Sequence, residues 1–209
     1  MIASPDKTDA CCGAPAGKRE RNRLERRAAI VAVARQLFLE QGYAATTMSA
    51  VAEAMGGSKA TLWAHFASKE ALFAEVADAM VGGFAQRMDE LLGGQPFSVA
   101  GLRDFCLRFL DQMQSPESTT LFRMIIAEGG RFPELGEMFF ARGPARTVAR
   151  LSRYFEGAFA APEATRLATV TIAALVGFRT QAMFVPRQDD RHQAATFVEQ
   201  LLATLPPAA

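Results

Sequence analysis

Three cysteines, two histidines and a single tryptophan among 209 residues leave little material for several kinds of chemistry. Cys11 and Cys12 are adjacent in a polar stretch and Cys106 falls in an apolar pattern, so the cysteines match neither a disulfide framework nor a metal-ligand spacing. A redox role for Cys11 and Cys12 has only their adjacency in its favour. His65 and His192 stand in unrelated segments, and no glycine loop of the phosphate-cradling kind occurs. The convergent acid, base, nucleophile or metal that catalysis requires is missing, so no enzyme, no cofactor and no metal site is expected. Uninterrupted apolar runs are short as well, none approaching the roughly 20 residues of a membrane span. The first residues, MIASPDKTDACCGAPAGKRER, lack the apolar centre of a secretory signal. A cytoplasmic protein without membrane contact is the expectation.

Net charge is also nearly absent, at +1, but it is unevenly spread. Residues 18–27 read KRERNRLERR, six basic side chains against two acidic ones. Such a run is either a solvated helix face or a segment drawn to phosphates by counterion release.

What the chain does have is helical periodicity. Residues 1–20 show no period and are expected to form a disordered tail ending in basic residues. Ile30, Val33, Ala34, Leu37 and Phe38 then recur at spacings of three and four, and Gly42 supplies a left-handed stop. Thr46 and Thr47 offer caps for a short helix holding Val51, Ala52 and Met55, which Gly56 and Gly57 end. Ser58 opens a second short helix with Leu62 and Phe66. Ser68 opens a long one, whose stripe runs from Leu72 and Phe73 to Leu91 and Leu92. Further helices are expected over 98–114, 116–128, 133–142, 144–160, 163–185 and 189–204, divided by prolines and glycines. No segment reads as a strand. The fold class is therefore all-α, with about nine to ten helices.

Two short helices joined by a glycine turn are the geometry of a helix-turn-helix, in which the second helix enters a major groove. Ala52 is small enough for a close crossing, Gly56 permits a positive φ in the turn, and Leu62 fills the space between the helices. The segments TT, VAEAMGGS and TLWAHFASKEALF, within Ala28–Phe73, resemble the N-terminal domain of the TetR/AcrR family of bacterial repressors. A weaker likeness, IIAEGGRFPELGEMFFARGPARTVARL, is similar to the C-terminal half of AcrR-like members. Gly57 stands where the family usually has valine, and Trp63 where it usually has tyrosine.

The resemblance implies three units: the tail at 1–20, a helix-turn-helix DNA-binding domain at 21–68, and a helical effector-binding and dimerisation bundle at 69–209. It also implies a homodimer on double-stranded palindromic operator DNA, most often a repressor released by a small effector and controlling efflux or detoxification genes. Thr47, Ser58, Thr61, Trp63, His65 and Lys69 would hold the DNA backbone, contacts that fix register without reading sequence. Lys59 and Ala60, at the leading end of the second helix, would face base edges, lysine toward guanine and alanine toward a thymine methyl. For Trp63 and His65 the alternative is packing over Leu62 and Phe66. Lys69 sits in the first turn of a helix, where the dipole disfavours a cation, and so asks for a phosphate partner.

In the body, ATRLATVTIAALVGFRTQAMF is apolar on nearly every side and asks for cover from a second subunit. Thr169, Ala173 and Gly177 form a small-residue stripe, and the preceding helix offers Leu151 and Phe155 for the same dimer interface. Phe105, Phe109, Met113, Phe122, Met138 and Phe178 are candidates to line a pocket for a small hydrophobic or aromatic effector. Arg103, Arg123, Arg179, Glu128 and Gln181 are candidates for one polar contact there, and the sequence does not choose among them. The helix beginning at Lys69 is the expected lever between pocket and head. A DNA-binding adaptor or architectural protein with no effector, or an activator, would carry the same head.

Overall fold

Hydroxyl caps set the starts of five helices: the side chains of Thr47, Ser58, Ser68, Ser98 and Ser115 each accept the amide of the residue three positions on. Pro116, Pro133 and Pro144 stand in first turns, where a missing N–H costs nothing. The computed structural model describes residues 17–184 and 190–207. Its helices are α1 (Lys18–Gln41), α2 (Met48–Ala54), α3 (Lys59–His65), α4 (Lys69–Leu92), α5 (Val99–Gln114), α6 (Pro116–Glu128), α7 (Pro133–Arg142), α8 (Pro144–Phe155), α9 (Ala161–Phe184) and α10 (Asp190–Leu202). No strand occurs among the described residues. Cys11, Cys12 and the first sixteen residues of the expected tail lie outside them, as do positions 185 and 189, which the sequence pattern includes in helices.

Two boundaries differ from the sequence pattern. The first helix starts at Lys18, inside the expected tail, because charge pairs one turn apart, Glu20 with Arg23 and Arg21 with Glu25, support a turn that has no apolar stripe. α8 ends at Phe155 rather than 160, where Glu156 to Phe159 turn the chain back into α9.

The apolar stripes close two cores. One gathers Ile30, Ala34 and Phe38 of α1, Val51 and Ala52 of α2, Leu62 of α3, Phe66, and Leu72, Phe73 and Val76 of α4. Leu121, Met124 and Ile125 of α6 and Leu135 of α7 belong to the same cluster. The packing therefore crosses the expected division between residues 68 and 69. The second core lies among the C-terminal part of α4, α5, α8, α9 and α10. Cys106 is buried there, and that burial pushes its thiol up to about 12, so it stays protonated and unreactive at neutral pH.

Gly42 ends α1 with φ +84° and ψ 168°, extended with reversed sign rather than left-handed helical. Only glycine adopts that region freely. The conformation turns the amides of Tyr43 and Ala44 toward the Glu128 carboxylate at the end of α6, at 2.7 and 2.6 Å. A Cβ at residue 42 would lie 2.7 Å from that carboxylate. Gly42→Ala is expected to cost about 1–3 kcal/mol, read as a fall in thermal midpoint of several degrees. An unchanged midpoint would mean that the loop does not need this geometry.

Candidate nucleic-acid interface

α3 is anchored inward by Leu62 and by Phe66 just past its end, both almost fully buried. Its other side carries Lys59, Ala60, Trp63 and Ala64, all exposed, with half of the Trp63 surface uncovered. No other part of the described chain covers this face. Ser58 caps the helix and its Oγ lies 2.9 Å from Thr61 Oγ1, so one edge presents two hydroxyls next to free N-terminal amides. Thr47 is exposed at the start of α2, capping Ala50. Gly56, at φ +60°, makes the turn between α2 and α3. Thr47, Ser58, Lys59, Ala60, Thr61, Trp63 and the partly exposed His65 are thus brought onto the α2–α3 unit, within reach of one surface.

Lys69 has a different environment from the one its sequence position suggests. Its ammonium donates to the carbonyls of Tyr43 and Thr46, at 2.9 and 3.1 Å, and stands 4.1 Å above the Tyr43 ring. These carbonyls, rather than a phosphate, offset the unfavourable dipole, and they tie the α1–α2 loop to the first turn of α4. Burial lowers its pKa, with Glu70 and Glu128 acting in the other direction. Burial first, then Glu70, raises the Tyr43 phenol well above its usual range.

The basic run is divided by the structure. Arg27 turns inward, donating from Nη1 to the His65 carbonyl at 2.7 Å, pairing with Glu75 at 3.0 Å and stacking on Phe66. It holds the C-terminal end of α3 against α1, a role the sequence analysis does not assign to it. Lys18, Arg19 and Arg26 are in no ion pair among the described residues.

Below the head, α4, α5, α6, α7, α8 and α9 enclose a mainly apolar cavity of about 110 Å³. Phe84, Phe109, Met113, Phe122, Ile172 and Val176 give it its character. Of the expected pocket residues, Phe109, Met113 and Phe122 line this cavity. Phe105 is instead fully buried in the second core, Phe178 stacks on Phe197 at 4.5 Å, and Met138 packs against the head cluster. Periodicity marks a residue as inward-facing, but only tertiary packing decides whether the inside is filled. Arg142 and Arg150 also line the cavity, and their charges are matched by Asp78 and Asp89.

The expected dimer interface is split. Leu151 and Phe155 are completely buried within the second core of the chain itself and have no surface left for a partner. Thr169, Ala173 and Gly177 are exposed on the outer side of α9, together with Val170 and Phe184. α9 is long and apolar enough, by length and composition, to cross a membrane, yet 39% of its most apolar window is buried inside the fold.

Two family models match this chain. Residues 30–76 match bacterial regulatory proteins of the tetR family, and residues 100–204 match the C-terminal domain of AefR-like transcriptional repressors. The HTH-type transcriptional regulator AcrR of Shigella flexneri is 29% identical over 136 residues, 64% of this chain. The alignment spans only 61% of that relative's length. Among solved structures, a TetR-family transcriptional regulator from Mesorhizobium loti has a TM-score of 0.73 at 26% identity, covering 87% of this chain and 96% of its own. The flavonoid-responsive regulator FrrA has a TM-score of 0.67 at 29% identity, covering 88% and 99%.

Proposed function

Since the chain belongs to the TetR family of bacterial regulatory proteins, we propose that it is a cytoplasmic transcriptional regulator, two copies of which grip a palindromic operator until a small apolar effector releases them. The observation that carries this reading is the uncovered face of α3, where Lys59 and Ala60 have none of the described residues in front of them. A helix anchored by Leu62 and Phe66 but bare on its far side is what insertion into a major groove requires. Thr47, Ser58, Thr61, Trp63 and His65 surround it as donors for phosphate oxygens. Lys69 has one N–H beyond the two given to carbonyls, and any phosphate contact it makes uses that one. The exposed stripe Thr169, Ala173 and Gly177 supports a second copy packed on α9, with exposed Ala149 and Arg153 of α8 in the role that Leu151 and Phe155 do not fill. Two-fold pairing would mirror a two-fold operator.

The cavity supports the effector half of the proposal, as does the likeness to FrrA, a flavonoid-responsive regulator. α6 offers a route from cavity to head alongside the continuous α4. On one side it carries Phe122, in the cavity wall. On the other it carries Leu121 and Ile125 in the head core, Glu128 on the Tyr43 and Ala44 amides, and Glu117 paired with Arg35 of α1. An effector that favours one position of α6 shifts the head by its difference in affinity between the two arrangements, and by no more than that. Such a regulator suits control of efflux or detoxification genes, where the effector is itself the compound to be removed.

Selection of bound sites from random DNA at two salt concentrations tests the reading. Expected is an enriched palindrome whose half-sites lie on one face of the duplex. Recovery of no preferred sequence, with binding that vanishes as salt rises, would reduce the protein to a phosphate binder and sink the operator reading.

A further inference from the structure

Arg179 is the one buried side chain on α9 whose charge is unmatched among the described residues. It is 1% exposed. Nη2 donates to the Ser118 carbonyl at 2.8 Å, while Nε and Nη1 have no partner. Its guanidinium carbon stands 4.0 Å from the centroid of Phe122. No carboxylate of the described residues pairs with it, and the charge it feels most is the like charge of Arg123. Burial foremost, and then Arg123, bring its pKa down to about 10, so it remains a cation at neutral pH. Burying an unpaired guanidinium is costly, and such a group persists where something else supplies the counter-charge.

The position of Arg179 says what that something is. Ile172 and Val176 line the cavity, and Arg179 is the next residue on the same face of α9, three beyond Val176 and seven beyond Ile172. Phe122 joins the two sites, forming cavity wall and also stacking on the guanidinium. The arginines that line the cavity, Arg142 and Arg150, already face Asp78 and Asp89. Among the described residues, every buried side-chain polar atom without a partner is a donor: the two nitrogens of Arg179 and Nε2 of Gln114, the latter at the end of α5 just before the Ser115–Ser118 turn. Acceptors are what these three donors lack among the described residues. The cavity is also small beside the roughly 300–1,000 Å³ of typical ligand sites. Movement of the Phe122 ring would join it to the space at Arg179.

We infer that the effector is an amphiphilic anion, a small aromatic or aliphatic carboxylate whose apolar body fills the cavity of Phe84, Phe109, Met113, Ile172 and Val176 and whose acid group accepts from the unpaired donors of Arg179. This rests on the effector reading of that cavity and goes further, assigning the chemical class of the effector and the residue that selects it. A neutral molecule of the same shape leaves the guanidinium unmatched and binds more weakly.

The test measures binding to the full chain by titration calorimetry, without DNA, using benzoate, cinnamate and octanoate, each beside its own primary amide. At least one acid is expected to bind tenfold or more tightly than its amide. Arg179→Gln should abolish that preference while leaving amide binding within a few-fold, and Arg179→Lys should keep part of it. In the ligand-free state Arg179→Met should melt no lower than the parent, because it removes an uncompensated charge. Amides binding as well as acids, an acid preference that survives Arg179→Gln, or a large drop in the melting temperature of Arg179→Met would each overturn the inference and leave the effector reading standing. Binding of no member of the set would overturn both.

Discussion

Phe73→Ala should destabilise the whole chain by about 3–5 kcal/mol, and it should do so in a single transition. Phe73 is fully buried where the head meets the body. Its ring takes Phe38 and Tyr43 edge-on at 5.4 and 5.3 Å, and Phe132, from the loop before α7, meets Tyr43 at 5.2 Å. Truncation removes the transfer energy of a large aromatic and leaves a void bounded by rigid rings that cannot collapse into it. For a chain of this length each kcal/mol lowers the melting temperature by about 2–4 °C, so a fall of roughly 10 °C is expected by calorimetry. The number of transitions is the sharper part. Leu121, Ile125 and Leu135 complete the head's core from α6 and α7, so the head cannot lose its packing without exposing them. Were the variant's head to melt separately while the body kept its parental midpoint, the shared core would be energetically idle, and α6 could not carry a signal from cavity to DNA.

The helices were legible in the sequence because their signals are local. A hydroxyl cap, a proline in the first turn and an apolar stripe at spacings of three and four each act within a few residues, and α5, α6 and α7 fall within one residue of the pattern. The α2–α3 unit was legible for the same reason: a cap, a glycine turn and two anchors lie within twenty residues. The cavity lining and the residues left free for a partner were legible only in part, because periodicity cannot distinguish burial against the same chain from burial against a partner or a ligand. Leu151 and Phe155 illustrate the first confusion, Phe105 and Phe178 the second.

A finer signal lies in where charges fall along the apolar stripes. Arg27 lies on the stripe that continues through Val31, Ala34 and Phe38, Glu128 on the stripe of Leu121 and Ile125, and Arg179 on that of Ile172 and Leu175. Arg27 opens an apolar face with a charge, Glu128 closes one and Arg179 interrupts one, and each does something specific. Arg27 holds the end of α3, Glu128 ties α6 to the head, and Arg179 stands unmatched beside the cavity. A charged residue at a buried helical position has to be matched by something, so position on the stripe is a better guide to function than charge alone.

Lys59→Glu should weaken operator binding by about 10- to 100-fold or more at moderate salt, while the melting temperature stays within about 1–2 °C of the parent. Lys59 is exposed, and it appears in no ion pair of the described residues, so its replacement removes nothing the fold depends on. A good lysine contact to a guanine edge contributes about 1–3 kcal/mol, or roughly 5- to 150-fold, and a carboxylate in its place adds repulsion from the phosphates. The two components separate in one comparison. If Lys59 reads a base, Lys59→Ala relaxes the preference at one position of each half-site and barely changes the dependence of binding on salt. A phosphate contact instead leaves the preferred sequence intact and reduces the salt slope by about one unit. Trp63→Ala should follow the second pattern, weakening all sites alike, because an indole N–H on a phosphate carries no sequence information. The measurement is site selection with parent and variants side by side. Should Lys59→Glu select the same sequence with the same affinity, the leading end of α3 does not face the bases, and the groove-reading orientation of this helix is wrong.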